Sequence, residues 1–423
     1  MTDTTQHKTE RAALCGLAAA SFAPGESSTD VSMEELAALV ETAGGEVAVQ
    51  LMQSRDKPDP RSFIGEGKEQ ELKELIERNE CDLAVFDNEL SPSQMRVLSE
   101  DLGVKVMDRS GLILDIFAQR ARTREGQLQV ELAQYKYLLP RLLGMWTHLE
   151  RQEGAIGTRG PGETQLESDR RHIRRKIQKL EAELAEVRKN RATQRRRREK
   201  NEMPVVALVG YTNAGKSTLL NRLTGSDIPA NDRLFDTLDT TTRRFMVDGV
   251  QEVLLSDTVG FIRKLPTHLI EAFKATLEEL SYADVLLHVI DMSSDEWQSQ
   301  AEIVDKLIAQ LGAEGTPCIR VYNKCDKCFG VLPRERESVC ISARTGEGVP
   351  ELLEMLSAVL GQGRRRARFL IPYEKGTLVQ LLHDEAAVLS VDYAEGGTLL
   401  EAVVKPELWA KVCAYAVPGA PEE

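Results

Sequence analysis

Gly210-Tyr211-Thr212-Asn213-Ala214-Gly215-Lys216-Ser217-Thr218 decides how this chain is read. Before it stands Val205-Val206-Ala207-Leu208-Val209, an apolar, Val-rich run that reads as a buried strand. After it, Leu219, Leu220 and Leu223 recur at helical spacing. Strand, G-x-x-x-x-G-K-[ST] and helix together are the full context of a phosphate-binding loop. Gly210 and Gly215 let the backbone turn its N–H groups inward, and those donors cradle a polyphosphate together with the helix N-terminus. Lys216 is placed to reach the β- and γ-phosphates, and the Ser217 hydroxyl to take Mg²⁺.

Four further segments follow in order. Phe235, Asp236, Thr237, Leu238 and Asp239 read as an extended loop with a hydroxyl for Mg²⁺. Gln251 to Ser256 reads as a strand ending in Asp257, Thr258, Val259 and Gly260, where the carboxylate reaches the metal through water and the glycine N–H senses a γ-phosphate. Val285 to Ile290 is another buried strand. Cys318 to Tyr322 is the next, ending in Asn323, Lys324, Cys325 and Asp326. A carboxylate there accepts both N1–H and N2–H₂ of guanine, which adenine does not offer, and bonds of this kind discriminate by about 10⁴. Val339 to Ile341 leads into Ser342, Ala343 and Arg344, whose backbone meets guanine O6. The ligands expected are GTP and GDP with Mg²⁺. Phe261 stands where Ras-like enzymes place a water-orienting Gln, so slow intrinsic hydrolysis is expected.

Upstream, Arg11–Leu17, Glu46–Leu51, Leu83–Phe86 and Val104–Met107 read as strands. They alternate with helices over Met33–Val40, with Ser32 as N-cap, over Glu66–Glu77, and from Pro92 to Leu102, with Ser91 as N-cap. Such alternation means a small parallel sheet. The loop Ile64 to Lys68 is Gly-rich without a nucleotide fingerprint and reads as a turn or a nucleic-acid contact.

Leu128, Leu132, Tyr135, Leu139, Leu142, Trp146 and Leu149 keep a heptad rhythm, as do Leu166, Ile173, Ile177, Leu180, Leu184 and Val187. Two such stripes joined by a loop predict an antiparallel helix pair sharing one seam. Pro140 is expected to kink the first helix. Thr164 and Glu167 form a capping box that should start the second, which would run from Leu166 to Arg198 for roughly 50 Å. Between the helices lies a Gly-rich tip, Glu153 to Gln165. Arg159 on the tip, Arg170, Arg171, Arg174 and Arg175 behind it, and Arg195 to Arg198 at the far end suit phosphate geometry. A solvated helix face is the competing explanation. Downstream, Phe369–Tyr373 and Thr398–Val404 read as strands, and Thr377–Leu389 and Pro406–Ala414 as helices.

The 423 residues suffice for two to four domains. No apolar run approaches the roughly 18 residues that span a bilayer, and the N-terminus lacks a signal pattern, so a cytoplasmic protein is expected, with any membrane contact peripheral. Seven dispersed cysteines point to reduced thiols, and the lone Cys325/Cys328 pair has no second pair to complete a zinc site. The net charge is −13, yet residues 151–200 hold 16 Lys and Arg against 8 Asp and Glu. A basic segment on an acidic body favours a localised polyanion contact.

The motifs together resemble the translation-factor class of GTPases. GTRGPGETQLESDRR (Gly157–Arg171), GYTNAGKST, FDTLDTTTR (Phe235–Arg243), DTVGFI (Asp257–Ile262) and NKCD are similar to those of the HflX family. The family shows Ala and Pro where this chain has Asp236 and Thr240, but Thr237 is kept. The resemblance implies a GTPase that binds the large ribosomal subunit, probes the peptidyl-transferase region of its RNA and helps split ribosomes under stress. It also implies that Thr237 is the loop hydroxyl on Mg²⁺, and that the five segments named above line the nucleotide. The catalytic set expected is Lys216, Thr237 and Gly260, in a monomeric chain. The fold expected is α/β. A P-loop GTPase domain (201–362) is preceded by a small parallel α/β subdomain (1–108) and a long antiparallel helical hairpin (109–200). A small α+β domain (363–423) follows. An RNA-remodelling NTPase and a GTP-dependent regulatory binding module are the alternatives.

Overall fold

The computed structural model describes residues 9–22, 25–145, 161–200, 203–226, 234–235, 241–247, 251–265, 269, 280–328, 333, 335, 337–360, 365–404 and 406–417. Its first unit runs β1 (Arg11–Ala19), α1 (Asp30–Ala43), β2 (Glu46–Arg55), α2 (Glu66–Arg78), β3 (Leu83–Phe86), α3 (Pro92–Leu102), β4 (Lys105–Asp108) and α4 (Arg109–Arg120). The strands form one parallel sheet in the order β2-β1-β3-β4. The N-cap of α1 is Thr29 rather than Ser32. Ser32 is its N3 partner, and the two exchange side-chain and backbone bonds reciprocally. Helix α4 has no counterpart in the sequence reading. Leu112, Ile113, Leu114, Ile116 and Phe117 are all buried, so it lacks the one-sided stripe that periodicity detects.

The hairpin pairs α5 (Arg124–Met145) with α6 (Pro161–Lys200). Leu128 and Leu132 meet Leu180 and Leu184 in the seam, flanked by Tyr135, Ile177 and Val187. Ion pairs Lys136–Glu181 (3.0 Å) and Lys176–Glu131 (3.3 Å) border it. Pro140 lies inside α5. Helix α6 starts at Pro161, a residue suited to a first helical turn. Thr164 is therefore within the helix and cannot be the cap that the Thr164/Glu167 box required. The tip from Glu153 to Gly160, with Arg159, lies outside the described residues. Replacing Leu184, 4% exposed, by Ala removes a seam knob at a cost of about 2–5 kcal/mol. Hydrogen exchange across 173–187 should accelerate; unchanged protection would show that the seam does not hold the stalk.

The next unit contains β5 (Val205–Gly210), α7 (Lys216–Thr224), β6 (Thr241–Val247), β7 (Gln251–Asp257), β8 (Val285–Asp291), α8 (Trp297–Gln310), β9 (Cys318–Asn323), β10 (Ser338–Cys340) and α9 (Val349–Leu360). The strand order is β10-β9-β8-β5-β7-β6, and only β6, absent from the sequence reading, is antiparallel. Gly210, Asp257 and Asn323 are the last residues of β5, β7 and β9, so their motifs gather at one edge, where ligands of open α/β sheets bind.

The last unit runs β11 (Arg365–Ile371), α10 (Gly376–Glu385), β12 (Ala387–Ala394), β13 (Gly397–Val404), α11 (Pro406–Val412) and β14 (Ala416–Val417). Its antiparallel sheet has the order β12-β13-β11-β14. The helix expected to reach Leu389 stops at Glu385. Leu389 sits instead at a register shift in β12, where pairing with β13 overrides helical propensity. No described helix is long and apolar enough to cross a membrane.

One buried apolar cluster joins the first unit to the motif-bearing one. It includes Leu36, Leu112, Ile116 and Phe117 on one side, and Tyr211, Phe235, Val259, Phe261 and Leu307 on the other.

Candidate nucleotide site

Tyr211 to Gly215 bridge the end of β5 and the start of α7. Asn213 (φ 60°) and Gly215 (φ 94°) take left-handed backbone and turn the loop back on itself. A Cβ on Gly215 would stand 2.2 Å from Asn323 Nδ2, so only glycine fits. As N-cap, Gly215 offers no side-chain acceptor to the first-turn N–H groups of α7, an arrangement suited to an anion.

Lys216 is buried. Its Nζ donates to Gly210 O (3.1 Å) and Tyr211 O (2.8 Å), and an ammonium can make a third such bond. Burial pushes this ammonium down to about 8, against the opposing pull of Asp257. A cation desolvated in this way is stabilised by an arriving anion, so the loop fits a phosphate. Ser217 Oγ donates to Asp257 Oδ2 at 2.8 Å, which brings the ends of two motifs together. Hydroxyl and carboxylate oxygens are the donors Mg²⁺ takes, completed by water and phosphate, so this pair fits the ion. Among the described residues no group of three or more His, Cys, Asp or Glu is arranged to hold a metal. Asp236, Thr237, Leu238 and Asp239 lie outside the described residues. Phe235 is described: it is buried edge-on to Phe117 of α4, with ring centroids 4.7 Å apart.

The segment after β7 is stitched to the loop. Thr258 Oγ1 donates to Leu208 O (2.6 Å), Phe261 N to Gly210 O (3.1 Å) and Thr212 N to Phe261 O (2.7 Å). Gly260 lies so close that an added Cβ would meet Thr212 Cγ2 at 2.8 Å and Lys216 Nζ at 3.2 Å. Phe261 is buried among apolar side chains and presents no polar group to the site.

Asn323 acts as a staple. Its Nδ2 donates to Ala214 O (2.8 Å), and its Oδ1 accepts from Ala343 N (2.9 Å). The loop, the Asn323–Asp326 turn and the Ser342–Arg344 turn are thereby held in one frame. Lys324 pairs with Asp291 (2.7 Å), and Cys325 N bonds Ile341 O (3.1 Å). The Ser342 hydroxyl holds the Asp326 carboxyl below the usual range, with help from Arg344 at 3.1 Å and against a smaller desolvation effect. It stays an anion able to accept two N–H groups. Arg222 of α7 bonds Ala343 O (3.2 Å) and Arg344 O, a fixing role that nothing in the local pattern around it signals. The Cys325 and Cys328 thiols bond the Tyr322 and Met292 carbonyls, and burial raises Cys325 to about 12. On α6, Arg171, Arg174 and Arg175 are exposed and Arg170 is half-buried.

Comparison with known proteins gives the family of the chain. Residues 30–118 match the family model described as GTP-binding GTPase N-terminal, and 120–198 that described as GTP-binding GTPase middle region. Residues 205–324 match the model described as 50S ribosome-binding GTPase. The GTPase HflX of Caldanaerobacter subterraneus is 49% identical over 89% of this chain and 88% of that protein. Its counterpart in Lacrimispora saccharolytica is 47% identical over 90% and 91%, and that in Escherichia coli 44% over 90% and 91%.

Proposed function

Because the chain belongs to the HflX family of GTPases, and is thus a GTP-binding protein and GTP hydrolase, we propose that it binds the large ribosomal subunit and hydrolyses GTP there, splitting or rescuing ribosomes under stress. The observation that carries this reading is the stalk. Helix α6 is 40 residues long, about 60 Å at 1.5 Å per residue, and bears Arg171, Arg174 and Arg175 in solvent. Guanidinium groups so placed suit RNA phosphates. The description 50S ribosome-binding GTPase, matched by residues 205–324, supports the same partner.

Within the site, Lys216 and the N–H groups of Tyr211 to Ser217 hold the phosphates. Ser217 and Thr237 would hold Mg²⁺, which would neutralise charge developing on the phosphate oxygens. Asp257 would hold a water beside that ion, and Gly260 N–H would meet the γ-phosphate. Asp326 reads the guanine edge, and the Ser342–Arg344 backbone meets its O6. Phe261 supplies no group to orient the attacking water. Hydrolysis is therefore slow in the isolated chain and rises when the ribosome orders the loops around the phosphate. Turnover measured with and without purified large subunits is expected to rise at least about tenfold, which is about 1.4 kcal/mol off the barrier. Equal rates would overturn the proposal.

A further inference from the structure

The loop tyrosine is tied to a charged cluster that the nucleotide chemistry does not use. Tyr211 Oη donates to Glu35 on α1 and accepts from Arg263 N at 2.8 Å. Glu35 is also paired with Arg109, the first residue of α4. Arg109 in turn bonds Asp87 Oδ1 at 2.7 Å, just beyond β3, and Asp87 Oδ2 accepts from Lys264. Arg109 is 2% exposed and Asp87 fully buried. Burial alone would raise the Asp87 carboxyl; Arg109 and Lys264 outweigh it and hold the group below the usual range. Lys264 takes a left-handed backbone (φ 53°), uncommon for a lysine. The residue before Arg109 continues the path. Asp108 accepts from Tyr137 Oη (2.7 Å) and Arg141 (3.0 Å), both on α5 of the hairpin.

We infer that this cluster is a lock, in which Asp87 of the first unit holds Lys264 and Glu35 holds Tyr211, whose Oη accepts from Arg263 N, so that movement of Gly260 toward a γ-phosphate must release the first unit and the hairpin attached to it. Gly260 is three residues from Arg263 and four from Lys264, and its neighbour Phe261 is bonded through both N and O to the phosphate loop. A shift of this segment therefore cannot leave the Arg263 and Lys264 contacts in place. The cluster is largely buried and its charges are paired, so it has two states, made or broken, rather than a graded range. Glu35, Asp87 and Lys264 are thus positioning residues, and the nucleotide state reaches the RNA-facing stalk through them. The inference rests on the reading of Gly210–Ser217 as the nucleotide loop.

Backbone hydrogen exchange of the full chain, loaded with GDP or with a non-hydrolysable GTP analogue, tests it. Exchange in residues 30–43 and 109–120 should be at least about fivefold faster with the analogue than with GDP. Lys264→Met and Glu35→Gln should reduce that difference below about twofold while GDP affinity stays within about threefold, and Lys264→Arg should restore it. A wild-type chain showing equal exchange in the two states, or a difference that survives both substitutions, would overturn the lock. The wild-type comparison decides the matter even if the variants fold poorly. Protection of 210–218 by nucleotide in the same run reports separately on the loop assignment; its failure would remove the basis of both.

Discussion

Replacing Lys216 by Ala is expected to abolish measurable binding of GTP and GDP while leaving the chain folded. Releasing one of its carbonyl bonds, the ammonium would make charge-assisted bonds to two phosphates, each contributing about 1.5–3 kcal/mol, so the loss is about 10²- to 10⁴-fold in affinity. The free protein does not need that charge. Lys216 is buried with its ammonium pushed down to about 8, so truncation relieves a desolvated cation and sacrifices only two bonds to the Gly210 and Tyr211 carbonyls. The melting temperature should therefore move by only a few degrees. The depressed value also sets a pH signature. Above pH 8 the unliganded lysine loses its proton, and phosphate binding must put it back, so wild-type affinity for GDP should fall as pH rises past that point. Titration calorimetry across pH 7 to 9 checks both statements. Wild-type affinity in the Lys216→Ala chain would remove this residue from the phosphates.

Asp326→Asn should redirect the base preference. The carboxylate, held ionised by Ser342 and Arg344, would accept two guanine N–H groups; an amide offers one acceptor and sets a donor against a donor. A site built on such bonds rejects the mismatched partner by about 10²–10⁴-fold, so GTP turnover per unit concentration should fall in that range. Xanthosine triphosphate, whose 2-carbonyl accepts from the amide, should recover much of the loss. Asn323 stays in place and continues to staple Ala214 to Ala343, so the fold of the site survives. Comparing kcat/KM for the two nucleotides in each chain is the measurement. A variant that still prefers GTP would place guanine recognition elsewhere.

The nucleotide loop was legible because its information is local. Strand, turn and helix lie in one stretch of 20 residues, from Val205 to Thr224, and each later motif follows its own strand. The elements that escaped were those whose identity depends on partners. Helix α4 is buried nearly all round and has no stripe. Strand β6 exists because β7 pairs with it, and β12 because β13 does. The start of α6 at Pro161 was masked by an equally good capping pattern three residues on. Least visible was the lock. Asp87 and Lys264 are 177 residues apart, and Glu35 and Tyr211 176 apart. No periodicity connects them, and each alone is an ordinary charged or aromatic residue. The folded chain makes them neighbours by laying α1 and the end of β3 against the phosphate loop and the segment after Gly260.

The claim on which the account turns is that guanine nucleotide decides when a cationic helical arm engages ribosomal RNA. Sucrose-gradient sedimentation with large ribosomal subunits tests it most directly, in the presence of GDP, a non-hydrolysable GTP analogue, or neither. The account predicts that the chain travels with the large subunit in the analogue state, that GDP releases it, and that Arg171→Glu/Arg174→Glu/Arg175→Glu abolishes the association. Equal association in all three nucleotide states, or full association of the charge-reversed chain, would contradict it.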